Sequence, residues 1–407
     1  MTLVRTDLDD REEERFRSEV RSWLDEHLIA RRSASKSVFH GAGGDSAEAI
    51  EQGREFLRLL ATRGWARPTW PVEYGGAGLS PDHAAVLARE LLHYETPDLY
   101  LFGVALEQSG TAILRFGTPE QQARWLPSIN DGSRIWTLLF SEPGAGSDLA
   151  GLTTRAIRDG DGWLVTGQKV WSSRAHLAAH GLLLARTDGS APKHAGITAF
   201  CIDMDAPGVE VRPLRQMNGD DHFNEVFLDD VFVPDRDRLG ELSAGWNIAT
   251  AVLMGERNKP AHSGNTGELA GALKLIELVQ ARGLDADPVL RQKVASLYIE
   301  AKVADWTMAR AQQVAAARGS AGPEGSGAKV RKSAIQKRLA QLALEVLGPE
   351  GAVEGSYWNT MFLTTPSISI RGGTDEIQRN IIGERVLGLP SEPRSDRGVP
   401  FRELRTN

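Results

Sequence analysis

Apolar residues recur at helical spacing through the first third of the chain. Phe16, Val20, Trp23, Leu24 and Leu28 share one face, and acidic residues fill the other. Residues 31 to 46, rich in Ser, Gly and Ala, predict a loop. Helical patterns resume around Phe56-Leu57 and Leu59-Leu60, then from Ala84 to Leu92. Thr118 followed by Pro119 is a helix start, a capping hydroxyl before a residue that needs no N–H partner. Near Ile135 the period changes. Ile135 to Phe140, Gly162 to Trp171, Leu182 to Ala185, Ile197 to Met204, Val209 to Val211 and Glu225 to Phe232 are short β-branched or aromatic runs. Turn residues such as Asp159-Gly160-Asp161-Gly162 and Asp205-Ala206-Pro207-Gly208 separate them. That spacing predicts a small antiparallel barrel or sandwich. After Pro234 the helical period returns. Asp287-Pro288 opens a helix with Leu290, Val294, Leu297 and Ala301 on one face. A flexible stretch is expected from Gly319 to Gly327, a helix from Val330 to Leu347 ending at Gly348-Pro349, and a last helix from Asp375 to Leu387. The Pro- and Arg-rich tail from Pro390 is expected to be poorly ordered. The order is helices, strands, helices: an α+β chain with boundaries placed at 1–134, 135–236, 237–389 and a tail at 390–407.

Composition narrows the function. The chain has 407 residues, too many for one ordinary core, and its 41% hydrophobic and 25% charged content is globular. A net charge of −7 argues against a general nucleic-acid binder, which needs clustered Lys and Arg. Arg331-Lys332 and Lys337-Arg338 read as a solvated helix face. Cys201, the single cysteine, excludes an intrachain disulfide and any multi-cysteine metal site, and its apolar run reads as a buried strand. The N-terminus shows no apolar h-region, and no stretch approaches the ~20 apolar residues of a membrane span. A cytoplasmic protein is expected.

Two stretches invite a ligand. In Ile370 to Arg379, Gly372 and Gly373 allow close backbone approach before a helix whose N–H groups suit a carbonyl or phosphate oxygen. Taken alone, a Gly-Gly before a helix is also an ordinary turn. In Ser141 to Asp148, two glycines and two hydroxyls flank a turn just after a strand, which can offer donors to a flat heterocycle or a phosphate. Further on, Gln168 to Ser173 carries Trp171, a rigid face for stacking, although a core tryptophan is the plain alternative. Tyr74-Gly75-Gly76-Ala77-Gly78 lacks the glycine spacing of a dinucleotide-binding turn.

Taken together, Gly64-Trp65-Ala66 to Gly78, Gly117 to Leu126, Ser141 to Gly151, Gly167 to Ser173, Gly245-Trp246 and Gly373 to Arg379 resemble the acyl-CoA dehydrogenase family over nearly the whole chain. The resemblance implies an N-terminal helical domain, a middle antiparallel β-barrel or sandwich domain and a C-terminal four-helix bundle. It also implies a noncovalent FAD at the junction of the last two, an acyl-CoA substrate, and an electron-transfer flavoprotein as electron acceptor. Carried over by residue, Phe140 and Ser141 resemble the positions that meet the flavin ring. Gly146 and Ser147 resemble the turn shared by FAD and the CoA pantetheine, and Trp171 and Ser173 the pair beside the isoalloxazine. Thr374 and Glu376 match flavin-nucleotide contacts, with Glu where Gln is commoner.

The implied reaction removes a proton α to a thioester while a β-hydride leaves to flavin N5. It needs a partly desolvated carboxylate and hydrogen bonds to the thioester oxygen. Many family members carry that carboxylate in Glu-Gly-Thr; here the triplet is Gly372-Gly373-Thr374. A branch resembling isovaleryl- and long-chain acyl-CoA dehydrogenases takes its glutamate from an early C-terminal-domain helix, at a Glu-Arg pair that matches Glu256-Arg257. The alternative is a surface Glu-Arg pair. On the first reading Glu256 is the base. Gly372 keeps its N–H for the thioester and frees volume for a branched or bulky acyl group, with Gly373 beside it. Arg257 resembles a residue near CoA, where a guanidinium suits phosphate.

The match departs in two places. The family's Arg-x-x-Phe-Gly segment is replaced by Arg282-Gly283-Leu284-Asp285. A later Gly-Gly-x-Gly motif reads Gly348-Pro349-Glu350-Gly351, and proline removes one N–H. Such departures resemble those of bacterial acyl-CoA dehydrogenases built from two chains, several of them acting on steroid side-chain thioesters. A homo- or heterotetramer is expected, a dimer at the least. Two other readings stand beside dehydrogenation: a flavin oxidase or monooxygenase on the same fold, and a subunit that completes another chain's site.

Overall fold

The computed structural model describes residues 8–31, 46–257, 268–318, 322–323, 325–393 and 396–404. Packing divides the chain into two compact units. One comprises residues 1–39, 88–95 and 257–392; the other comprises 40–87, 96–256 and 393–407.

The second unit is built on a sheet. Helices α2 (Ala47–Ala61), α4 (Gly110–Phe116) and α5 (Pro119–Asn130) precede it in the chain. At α5 the expected start is realised as a capping box. Thr118 Oγ1 accepts from Gln121 N, and Gln121 returns a bond to the Thr118 N–H, with Pro119 at the first turn. The strands are β1 (Trp136–Leu139), β2 (Arg155–Asp159), β3 (Gly162–Ser173), β4 (His180–Arg186), β5 (Ile197–Asp203), β6 (Val209–Leu214), β7 (Phe223–Pro234) and β8 (Arg238–Leu239). They form one eight-stranded sheet in the order β6-β7-β3-β2-β4-β5-β8, with β1 on β4. Pairing is mostly antiparallel, but β1 and the first residue of β2, Arg155, pair parallel with β4. Leu182 to Ala185 and Ile197 to Ile202 are buried on both faces, which explains their continuous apolar runs. Strand β2 escaped the sequence reading because Arg155-Ala156-Ile157-Arg158-Asp159 buries only Ala156. Along the long β3–β7 ladder, Trp163 Nε1 donates to Asp235 at 2.7 Å, joining groups 72 residues apart.

The first unit is helical. Asp9 caps α1 (Asp10–His27) by accepting from the Arg11 and Glu12 N–H groups. Arg21 of α1 reaches buried Glu90 at 2.6 Å; Glu90 lies in α3 (Pro81–Leu91). Helix α6 (Gly245–Arg257) belongs to the sheet unit up to Glu256, and the helical unit continues with α7 (Glu268–Ala281), α8 (Pro288–Arg318), α9 (Gly325–Leu347), α10 (Tyr357–Thr364) and α11 (Asp375–Ile381). Helices α7, α8 and α9 pack on one another, and α10 and α11 pack on α9. Ala272, Leu275, Leu297, Ala301, Leu339 and Ala343 form their shared core.

Two expectations are corrected. The stretch taken as flexible up to Gly327 is already helix from Gly325, because Gly325, Ser326 and Ala328 are buried. The tail is docked rather than loose. Phe401 N donates to Ala191 O at 2.9 Å, Arg402 N to Gly189 O at 3.0 Å, and the Arg186 guanidinium lies 3.4 Å over the Phe401 ring. Among the described residues no helix is long and apolar enough to cross a membrane.

Candidate active site

In the sheet unit, the candidate residues sit where three short segments meet. Strand β1 ends at Leu139, and buried Phe140 leads into a turn closed by reciprocal bonds between Glu142 and Ala145. Ser141 O accepts from Val170 N at 2.9 Å, which ties this turn to β3. Beneath it lies an ion pair. The Lys169 side chain is 0% exposed and Glu142 4%, and Lys169 Nζ reaches Glu142 Oε1 at 2.8 Å. Lys169 Nζ also donates to Phe140 O at 3.2 Å. Thr153 donates through both N–H and hydroxyl to one Glu142 oxygen, and Thr154 N to the other. Burial alone would raise the Glu142 carboxyl. The Lys169 charge and the hydrogen bonds from Lys169, Thr154 and Thr153 outweigh it and hold the group at about 2.

Past that pair, Gly146 and Ser147 are exposed, and a Cβ at Gly146 would meet open space. The loop after them is held by Arg186, which donates to Ala150 O at 2.6 Å and Leu152 O at 3.1 Å. Lys193 Nζ bridges Asp148 at 3.0 Å and Asp396 of the tail at 2.6 Å. Trp171 is the clearest anomaly. The β3–β7 register shifts between Lys169 and Ser172, and Trp171 there adopts φ 60, turning its indole outward to 59% exposure. A bulky residue in the left-handed region is strained, and a bulge of this kind re-aims a side chain. The core alternative for Trp171 is thereby excluded. Phe223 supports the ring edge-on at 5.9 Å. Ser173 follows, its carbonyl accepting from Thr137 Oγ1 at 2.9 Å. Arg174 is again left-handed, φ 50, with its guanidinium 4.9 Å over Tyr100.

In the helical unit, Gly372 (φ 67) and Gly373 (φ 85) occupy conformations that only glycine adopts readily. Thr374 caps α11, its hydroxyl accepting from Ile377 N at 3.1 Å. Gln378, fully buried, donates to Gly372 O at 3.3 Å and Gly373 O at 3.4 Å. Asp375 is held by Lys329 at 2.8 Å and Ser333 at 2.9 Å. Glu376 is exposed and pairs with Arg379. Arg282 and Glu350 form a two-pronged ion pair, so the two motifs that depart from the family pattern bind each other.

Glu256 and Arg257 occupy the last turn of α6, and their side chains lie outside the described residues. The sequence reading gave no role to Glu142, Lys169, Asp375 or Gln378. The available signal was a lysine inside an apolar strand, paired with a carboxylate inside a Gly-rich turn.

In the sheet unit, the exposed, strained indole and the open space at Gly146 suit a flat cofactor with a phosphate-bearing arm. Comparison with known proteins points the same way. The family description "Acyl-CoA dehydrogenase, N-terminal domain" matches residues 10–133, the middle domain 137–231 and the C-terminal domain 243–387. Acyl-CoA dehydrogenase IpdE1 of Mycobacterium tuberculosis is 37% identical over 390 residues, 93% of this chain and 98% of that one. FadE34 of the same organism is 41% identical over 334 residues, 81% of this chain but 45% of its own length. Among solved structures, the Tcur3481-Tcur3483 steroid ACAD matches with TM-score 0.74 at 25% identity, covering 96% of this chain and all of that one. The ChsE4-ChsE5 complex from M. tuberculosis matches with TM-score 0.74 at 27% identity over 96% of this chain and 100% of that one.

Proposed function

This chain belongs to the acyl-CoA dehydrogenase family, and from that membership we propose that it is an FAD-dependent enzyme for a branched or bulky acyl-CoA, with Glu256 as base. The observation that carries this reading is the glycine at 372. It stands where many relatives place the catalytic carboxylate, and its left-handed backbone favours a residue with no side chain. Phe140, Ser141, Gly146, Ser147, Trp171 and Ser173 would hold the flavin side, and Thr374 and Glu376 the nucleotide. FAD, when bound, supplies the acceptor for the β-hydrogen and its electron pair. The chain's own residues do the rest. Glu256 takes the α-proton onto its carboxylate. The Gly372 N–H hydrogen-bonds the thioester oxygen as negative charge grows there, which lowers the barrier most where water is excluded. Arg257 meets a CoA phosphate, and Ser147 and Gly373 line the thioester arm. Reduced enzyme is reoxidised by an electron-transfer flavoprotein. A bulky acyl group is supported by the space that Gly372 leaves and by the likeness to a steroid ACAD.

The test is a flavin spectrum of the purified chain under anaerobic addition of an acyl-CoA panel. Bleaching by a branched or cyclic thioester is expected, and Glu256→Gln should abolish it while FAD stays bound. Near-normal bleaching in that variant overturns the base assignment. Faster turnover of short straight chains than of every branched one overturns the pocket reading. The likeness to the ChsE4-ChsE5 complex favours a second feature, assembly with a different chain. Co-expression with a candidate partner should then raise FAD content above that of the chain purified alone.

A further inference from the structure

The turn that carries Ser141 is held by two successive backbone anchors from β3. Lys169 Nζ draws the Phe140 carbonyl toward the buried side at 3.2 Å. Val170 N–H takes the Ser141 carbonyl at 2.9 Å, and Glu142 N–H is spent on Ala145 O at 3.1 Å. A trans peptide points its C=O and N–H in opposite directions. With the Phe140 carbonyl drawn to Lys169, the Ser141 N–H must face away from the buried ammonium, on the side where Ser141 is partly exposed. A lysine at 0% exposure is costly to bury, and an apolar residue of similar volume would fill the space without that cost. Its second bond, to a backbone carbonyl rather than to the carboxylate, is what an apolar residue could not supply.

We propose that Lys169 is a positioning residue that aims the Ser141 N–H at a hydrogen-bond acceptor on the flavin ring. This rests on the FAD reading above and adds a residue to it. Lys169 touches neither cofactor nor substrate; it acts through the 140–141 peptide.

The test measures FAD affinity by fluorescence quenching, and the position and shape of the flavin absorption bands, on the full-length chain. Lys169→Met keeps the aliphatic bulk and loses the donor. The double variant Lys169→Met with Glu142→Gln also removes the buried carboxylate left behind, and the one amide oxygen at residue 142 can still accept from either Thr153 or Thr154. Both are expected to bind FAD about tenfold to a hundredfold more weakly, as for a lost hydrogen bond to the cofactor, and to shift the flavin bands. Glu142→Gln alone keeps the Lys169 donor and should bind FAD within about threefold of wild type, a difference of under 1 kcal/mol. A folded double variant with wild-type affinity and bands overturns the proposal. So does a loss in Glu142→Gln as large as in Lys169→Met, because general loosening of the turn would then explain both. A wild-type chain that takes up no FAD overturns the functional reading itself, and the proposal with it.

Discussion

The Ser141 turn and the Gly372 turn are both Gly-rich, both precede candidate ligand contacts, and are built on opposite principles. The first is held from below by a buried ion pair and by β3, and its Gly146 has open space and no left-handed requirement. The second carries its instructions in the backbone: two left-handed glycines, a threonine cap, and a buried glutamine that takes up two carbonyls. Side-chain chemistry positions one turn, and backbone conformation positions the other. Substitutions should therefore act in different currencies at the two places.

The largest expected effect is at the ion pair. Glu142→Ala leaves Lys169 as an uncompensated buried charge and should lower unfolding free energy by about 3–5 kcal/mol in chemical denaturation. The same pair predicts acid sensitivity. The Glu142 carboxyl is depressed from 4.5 to about 2 in the folded chain. Its contribution is therefore complete above the unfolded value and is lost as pH falls from about 4.5 toward 2. Tryptophan fluorescence against pH should show a shallower acid transition in Glu142→Gln than in wild type. Next comes Gly373→Ala, which forces a Cβ into φ 85 and should cost about 1–2 kcal/mol, read from the denaturation midpoint. Thr374→Ala removes the α11 cap and should cost about 1 kcal/mol. At the small end, Gly146→Ala should change stability by less than about 0.5 kcal/mol while weakening FAD or CoA binding, measured by titration. If Gly146→Ala destabilises as much as Gly373→Ala, the contrast between the two turns fails.

These differences explain what could be read in advance. The succession of helices, strands and helices was legible because Leu182–Ala185 and Ile197–Ile202 announce a doubly buried sheet and Thr118-Pro119 announces a helix start. Strand β2 was not, since the charges of Arg155, Arg158 and Asp159 hide a sheet member that buries one alanine. The start of α9 was hidden by glycines that tertiary packing overrides. The Gly372 turn was legible because its information is local. The support under the Ser141 turn was not, because Lys169 and Glu142 lie 27 residues apart, and a strand lysine ordinarily signals solvent. The outward turn of Trp171 depends on a register shift between β3 and β7 that no local pattern encodes.

The long β3–β7 ladder also has a consequence for how the chain is made. Trp163 finds Asp235 only after 72 further residues have been synthesised, on the order of 4 to 14 s at ribosomal elongation rates. Glu142 and Lys169 can meet well before that. The nascent sheet then presents an open β3 edge, rich in Val165, Val170 and Trp171, to whatever it encounters first. Non-local pairing of this kind folds slowly and invites edge-to-edge association. Yield in a heterologous host should accordingly respond more to slowed translation or added chaperone than to changes at either turn.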